Sequence, residues 1–240
     1  MKYALVTGSS SGIGRAIAEK FLSEGCFVFI NYFPGEDTAS LEKEMETHYK
    51  GQYSLCPADL SGFEGLNALA SCVEQETEWL DYLVLNAGVT NRASLDDITY
   101  DEWERVFAIN LTIPFFLVQR LQPRIPEHGR IIFMGSMMGV LPHSLSLAYG
   151  VSKAGVNFLA QNLTKFFEGR NITVNAIAPG FVDTPWQKEK SAQIRQNIED
   201  KVALHRFATP GEIASLCWYL TQNEYINGTV IPIHGGYNYR

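Results

Sequence analysis

Lys2-Tyr3-Ala4-Leu5-Val6-Thr7-Gly8-Ser9-Ser10-Ser11-Gly12-Ile13-Gly14-Arg15-Ala16-Ile17-Ala18-Glu19-Lys20-Phe21-Leu22 opens the chain with three kinds of segment in a fixed order. Residues 3–7 are a short apolar run suited to a buried parallel strand. Gly8, Gly12 and Gly14 then punctuate a turn. Ile17, Ala18, Phe21 and Leu22 follow at helical spacing. Strand, glycine-rich turn and helix in this order make the first half of a dinucleotide-binding unit. Glycines permit a tight turn and close backbone approach, and a helix N-terminus offers free N–H groups to a pyrophosphate. The spacing is Gly-x-x-x-Gly-x-Gly, not the more familiar Gly-x-Gly-x-x-Gly. An isolated loop of this kind is also readable as a plain turn. Its place directly after an N-terminal strand favours the phosphate cradle, formed by Gly8, Ser10, Ser11, Gly12, Ile13 and Gly14.

The same alternation continues outward. Strand-like runs recur at residues 27–32, 52–57, 82–86, 130–135, 173–178 and 230–233. Helix-like stretches lie between them at 38–49, 63–76, 100–121, 149–168 and 210–220. Strand alternating with helix implies an α/β fold with a parallel sheet covered on both faces. Right-handed crossovers give a doubly wound, Rossmann-like sheet of order 3-2-1-4-5-6-7, with ligands outside the carboxyl ends of the strands. Residues 1–240 read as one such domain. Within it, the polar stretch 185–204, bracketed by Pro185 and Pro210, reads as a substrate lid or as an ordinary surface helix pair.

Bulk properties narrow the function. The chain has 240 residues and a formal net charge of −7, which disfavours nucleic acid and anionic membrane as partners. No apolar run is long enough to span a bilayer, and Met1-Lys2 leads straight into the first strand with no room for a signal peptide. Cys26, Cys56, Cys72 and Cys217 are scattered and read as reduced thiols of a cytoplasmic protein. The histidines form no ligand pattern, so no metal site is expected.

A second motif carries chemistry. Tyr149-Gly150-Val151-Ser152-Lys153 places a phenol and an ammonium at i and i+4, on one helical face. A close cation favours phenolate and lowers the tyrosine pKa from about 10, towards the range where a general acid/base works well. Tyr-x-x-x-Lys also occurs by chance on solvated helices, so the pair gains meaning from its company.

That company is specific. Thr7-Gly8-x-x-x-Gly12-x-Gly14, Asn86-Ala87-Gly88, Ser136, Tyr149-x-x-x-Lys153 and Pro179-Gly180 fall in an order that resembles the short-chain dehydrogenase/reductase family. The likeness runs from residue 2 to Gly235-Gly236 and is nearest in pattern to 3-oxoacyl-acyl-carrier-protein reductases and glucose dehydrogenases. Asn86-Ala87-Gly88-Val89-Thr90, Pro179-Gly180-Phe181-Val182-Asp183-Thr184 and residues 205–214 carry that finer similarity. The resemblance implies a nicotinamide-dependent oxidoreductase that moves hydride between cofactor and a carbonyl or secondary alcohol. Tyr149 would be the proton donor in reduction and Ser136 would bind the same oxygen. Lys153 would tune Tyr149 and hold the nicotinamide ribose. Asn110 would hold a water leading from Lys153 to solvent, or satisfy a kinked helix backbone, or both. Asp59, beside Leu60, would contact the adenine amino group or simply cap a turn. Asn86, Ala87 and Gly88 would face the adenine ribose. Thr184, after Pro179, Gly180 and Val182, would meet the carboxamide.

Departures from the family pattern bear on cofactor and substrate. The second strand ends at Asn31-Tyr32 with no acid, which removes the usual selector for NAD(H), yet no arginine stands there for a 2′-phosphate. Glu36 and Asp37 would oppose a phosphate if they curled inward. NADP(H) is the expected cofactor over NAD(H). Met137 and Met138 follow Ser136 and could line an adaptable pocket or pack in the core. His143, Phe181 and Trp186 are further candidates for the pocket wall. The expected substrate is an acyl thioester or other small molecule, with a 3-oxoacyl thioester foremost and a sugar, steroid or other secondary alcohol as the alternative. A nucleotide-binding sensor or scaffold that has kept the fold is the non-enzyme alternative. The resemblance also implies a homotetramer.

Overall fold

The computed structural model describes residues 1–142 and 146–237. Seven strands form one sheet: β1 (Tyr3–Val6), β2 (Phe27–Tyr32), β3 (Tyr53–Pro57), β4 (Tyr82–Leu85), β5 (Arg130–Met134), β6 (Thr173–Pro179) and β7 (Val230–Ile233). Their order is β3-β2-β1-β4-β5-β6-β7, as the alternation implied, and every pairing is parallel. The helices are α1 (Gly12–Ser23), α2 (Ala39–His48), α3 (Phe63–Glu76), α4 (Tyr100–Phe107), α5 (Ile113–Leu121), α6 (Leu147–Leu163), α7 (Ala192–Glu199) and α8 (Pro210–Gln222).

Period-2 alternation of side chains divides the core into two layers. Leu5, Phe29, Leu83, Ile131, Phe133 and Val174 face α3, α5 and α6, meeting Leu69, Leu117 and Val156. Val6, Ile30, Val84, Ile132 and Ile177 face the other way, onto Phe21 of α1, Met45 of α2 and Ile213 and Cys217 of α8. With both faces covered, the central strands β1, β4 and β5 read as near-continuous apolar runs. The sheet's carboxyl edge, where β1 and β4 part from each other's neighbours, is left open for a ligand.

The stretch 100–121 is not one helix. Between α4 and α5 the turn widens over Ala108–Thr112, where the Ile113 N–H donates to the Ala108 carbonyl. Pro114 supplies the reason: it has no N–H to give the carbonyl of Asn110, and its ring crowds that carbonyl. The bulge sits at Asn110, a residue expected in the site.

The cysteine expectation is corrected. Cys56 of β3 and Cys72 of α3 form a disulfide, whereas Cys26 and Cys217 are buried free thiols. Scattered spacing in sequence hides the fact that α3 packs across β3. Burial raises Cys26 to about 11, so it is not a nucleophile at neutral pH. No helix among the described residues is long and apolar enough to cross a membrane.

Candidate active site

The glycine-rich turn is held from three sides. Gly8 adopts φ +59°, a conformation that L side chains rarely take. Its N–H donates to Asn31 Oδ1 at 3.1 Å, and its carbonyl accepts from Asn86 Nδ2 at 3.0 Å. Thr7 Oγ1 accepts from the N–H groups of Asn86 and Ala87, both at 2.9 Å. Asn86-Ala87-Gly88 thus fastens the end of β4 to the end of β1. Ser11, just ahead of α1, is extended and its side chain makes no capping bond, so the first N–H groups of the helix stay open.

Asn31 is more committed than the sequence suggested. Besides Gly8, it serves the carbonyls of Cys56 at 3.1 Å and Ala58 at 3.3 Å through Nδ2. It braces the tips of β1, β2 and β3 together. Asp59 Oδ1 accepts from the Ser61 N–H at 2.9 Å, so it caps the turn before α3 while its residue lines the cleft beside Leu60. Arg15 turns away from the cleft to pair with Glu19 and Glu44.

Beyond β4 in the sheet, α6 carries the second motif against the end of β5. Lys153 Nζ is buried, donates to the Met134 carbonyl at 2.7 Å and lies 5.7 Å from the centre of the Tyr149 ring. Ser136 ends β5, where its Oγ accepts from the Met138 N–H at 3.1 Å. That bond leaves the hydroxyl proton free to point into the cleft, beside the Tyr149 phenol. Asn110 Oδ1 accepts from the Val89 N–H at 2.8 Å, and Nδ2 donates to the Val89 carbonyl and to Ser152 Oγ, both at 3.0 Å. The widened turn therefore aims Asn110 at the loop after β4 and ties it to α6. A Cβ on Gly88 would stand 3.2 Å from Asn110 Oδ1 and 3.4 Å from Lys153 Nζ, so these two groups flank the same glycine.

One electrostatic expectation is overturned. Tyr149 lies above the usual tyrosine range, because burial penalises the phenolate more than the Ser136 hydrogen bond relieves it. Lys153 is pushed down to about 8 by burial. The Lys153 ammonium turns to the Met134 carbonyl, and burial of the phenol outweighs any lowering by its charge.

Both halves open into one cavity of about 790 Å³, within the range of small-ligand sites. Every residue expected at the cofactor and catalytic positions lines it except Asn110. Met137, Met138, Phe181 and Trp186 also line it. The Trp186 and Tyr149 rings meet edge to face at 6.5 Å, and Phe181 packs on Phe207 and Tyr237. His143 lies outside the described residues. Thr184 closes over the turn, its Cγ2 reaching within 3.4 Å of where a Cβ on Gly12 would stand.

Several lining residues escaped the reading of the sequence. Tyr237 comes from the end of the chain. Ile194, Asn197, Ile198 and Lys201 come from α7 and the turn after it. Their spacing of i, i+3, i+4 and i+7 was the available signal for an inward-facing stripe. Arg92, Arg105 and Lys190 add cations to the lining, whereas the acids among the described lining residues are Glu36, which accepts from Ser10 of the glycine-rich turn, and Asp59.

This arrangement can bind an extended dinucleotide along the strand ends and present a carbonyl to a phenol and a hydroxyl. Residues 8–238 match a family model described as enoyl-(acyl carrier protein) reductase. The chain belongs to the short-chain dehydrogenase/reductase family. It is accordingly an NAD(P)-dependent oxidoreductase acting between carbonyl and alcohol groups. It is 34% identical to a 3-oxoacyl-[acyl-carrier-protein] reductase of Aquifex aeolicus, over 98% of this chain and 96% of that protein. Among solved structures it resembles the Pseudomonas aeruginosa RhlG/NADP active-site complex, with TM-score 0.91 and 33% identity over 99% of this chain and 96% of that one. It also resembles the angucycline C-6 ketoreductase LanV with bound NADP, with TM-score 0.90 and 31% identity over 98% and 95% of the two chains.

Proposed function

We propose that this short-chain dehydrogenase/reductase is an NADP(H)-dependent ketoreductase whose substrate is a 3-oxoacyl thioester. The observation that carries the reading is the convergence of Ser136, Tyr149 and Lys153 at the inner end of one cavity whose other end is the open N-terminus of α1. That cradle suits a dinucleotide: its helix N-terminus is uncapped, and a Cβ on Gly14 would stand 2.1 Å from the Gly8 carbonyl oxygen, leaving bare backbone at the phosphates. The turn from Gly8 to Gly14 would hold the pyrophosphate. Asp59, Leu60 and the Asn86–Gly88 segment would border the adenosine, and Lys153, Gly180, Val182 and Thr184 the nicotinamide half. The cofactor supplies the hydride when bound. Ser136 donates to the substrate oxygen and steadies the charge that grows there, and Tyr149 transfers the proton to it. Lys153 holds positive charge behind the phenol. Asn110 positions the loop after β4 against α6.

NADP(H) is preferred because β2 ends in Asn31, not an acid, and because both solved relatives above are NADP complexes. One contact works against it. Glu36 does curl inward, accepting from Ser10 Oγ at 2.5 Å, and a carboxylate there repels a 2′-phosphate. Glu36→Gln is therefore expected to tighten NADPH binding by about three- to tenfold, the worth of one exposed charge contact, and to leave NADH nearly unaffected. Fluorescence titration with both nucleotides measures this.

The lid reading of residues 185–204 is kept in this proposal, since α7 carries no buried residue of its own and rests on the cavity. So is a homotetramer: Leu147, Val151 and Phe158 stand exposed on one side of α6, and light scattering would report the mass. A cytoplasmic location completes the proposal against the Cys56–Cys72 disulfide, which a reducing compartment would keep open: both thiols free to alkylation in intact cells supports it, and a protected pair overturns it. The function itself is tested by NADPH oxidation with acetoacetyl-CoA. Turnover with tight NADPH binding supports it; binding without turnover of this or other ketones would overturn the ketoreductase assignment.

A further inference from the structure

We infer that the substrate carries an anionic group, a carboxylate or a phosphate, held by Arg92, Arg105, Lys190 and Lys201 while its carbonyl stands at Tyr149. This rests on the ketoreductase reading above and names what its substrate must contain. All four residues line the cavity, where the acids among the described lining residues are Glu36 and Asp59. None of the four makes an ion pair among the described residues. Arg195, on the same lid, does pair with Asp183.

Arg92 is close enough to Lys190 to disturb its charge. Lys190 lies below the usual lysine range because burial and the nearby Arg92 guanidinium both disfavour its charge. Like charges gathered in a cleft are relieved by an anion, and a cleft walled by low-dielectric protein strengthens their pull on one. Ile194 and Ile198, one helical turn apart on the face that carries Lys201, supply apolar wall on the same surface. A substrate that fits has a carbonyl at one end, an apolar span, and an anion at the other.

Two sources offer that chemistry: a small keto acid, through its carboxylate, or a pantetheine-type thioester, through its phosphate. Four ketones separate them: acetoacetate against ethyl acetoacetate, and acetoacetyl-CoA against acetoacetyl-N-acetylcysteamine. The expected result is a kcat/KM about tenfold higher for the charged member of one pair, falling as salt is raised. In the double variant Arg92→Gln, Lys190→Gln that ratio approaches one, since each exposed pair contributes a few-fold; Lys190→Arg preserves it. Equal kcat/KM within both pairs, unmoved by the double variant, overturns the inference. Calorimetric titration with succinate and with coenzyme A reads the cations without turnover. Anion binding that is lost in the double variant upholds them even if no ketone is reduced, an outcome that overturns the ketoreductase reading alone. No binding of either anion overturns the inference whatever the turnover.

Discussion

Replacing Tyr149 by Phe is expected to lower ketone reduction by about 10²- to 10⁴-fold, the usual range for a positioned general acid, and to leave nucleotide affinity within about twofold. In the proposed mechanism the phenol stands beside the Ser136 hydroxyl that would bind the carbonyl, and burial raises its pKa, which keeps it protonated at neutral pH. Phe keeps the ring that packs on Trp186 at 6.5 Å, so the wall of the cavity survives. The lost hydroxyl is partnered by Ser136, which then retains its bond from the Met138 N–H. Stopped-flow NADPH oxidation with acetoacetyl-CoA, beside a fluorescence titration of NADPH, separates chemistry from binding. Turnover within threefold of the parent enzyme would rule out Tyr149 as the acid.

The same pair sets the pH dependence. In the proposed mechanism reduction uses the neutral phenol and is helped by a charged Lys153, so kcat/KM is expected to be level below about 8 and to decline above it as Lys153 loses its proton. Oxidation uses the phenolate and rises with pH over the same interval. Stability moves the opposite way to reduction. Between about 8 and the unfolded value of 10.5, the unfolded chain holds a proton on Lys153 that the folded chain has released. Stability from this group therefore increases with pH there, and the decline in reduction is not unfolding. A profile flat from about pH 7 to 9.5 would remove Lys153 from the proton-transfer step.

Strand order and the strand–glycine turn–helix unit were legible because they depend on local pattern: apolar runs, glycine spacing and the helix that follows. The Tyr149–Lys153 pair was legible because one helical turn fixes it. What did not show was anything decided by how one element turns towards another. Cys56 and Cys72 form a disulfide because α3 crosses β3. Lys153 aims at the Met134 carbonyl instead of the phenol because β5 ends beneath it. Pro114 was visible, but the widening at Ala108–Thr112 depends on its ring meeting the Asn110 carbonyl within an otherwise helical pattern. Arg92, Arg105, Lys190 and Lys201 come from two separate stretches of chain, and only folding makes them neighbours.

Gly14→Ala is expected to weaken nucleotide binding by at least about tenfold and to destabilise the fold by about 1–3 kcal/mol, the cost of overpacking a tight interior contact. The new Cβ would stand 2.1 Å from the Gly8 carbonyl oxygen and 2.5 Å from Asn86 Nδ2. Neither is the loose end of a flexible side chain. The Gly8 carbonyl accepts from that same Asn86 amide, and the Gly8 N–H is anchored on Asn31, so relief for the methyl displaces the turn or the first turn of α1. Either movement shifts the open N–H groups that would face the pyrophosphate. Gly62, which precedes α3, has no atom within 4 Å of an added Cβ and an extended φ of −154°, so Gly62→Ala serves as the control. It is expected to bind nucleotide like the parent and to lose at most about 1 kcal/mol, as for Ala in place of Gly at a helix N-cap. Urea unfolding and NADPH titration of both variants give the comparison. Gly14→Ala with parental affinity would mean that the turn yields freely, and the cradle would then lie elsewhere along the cleft.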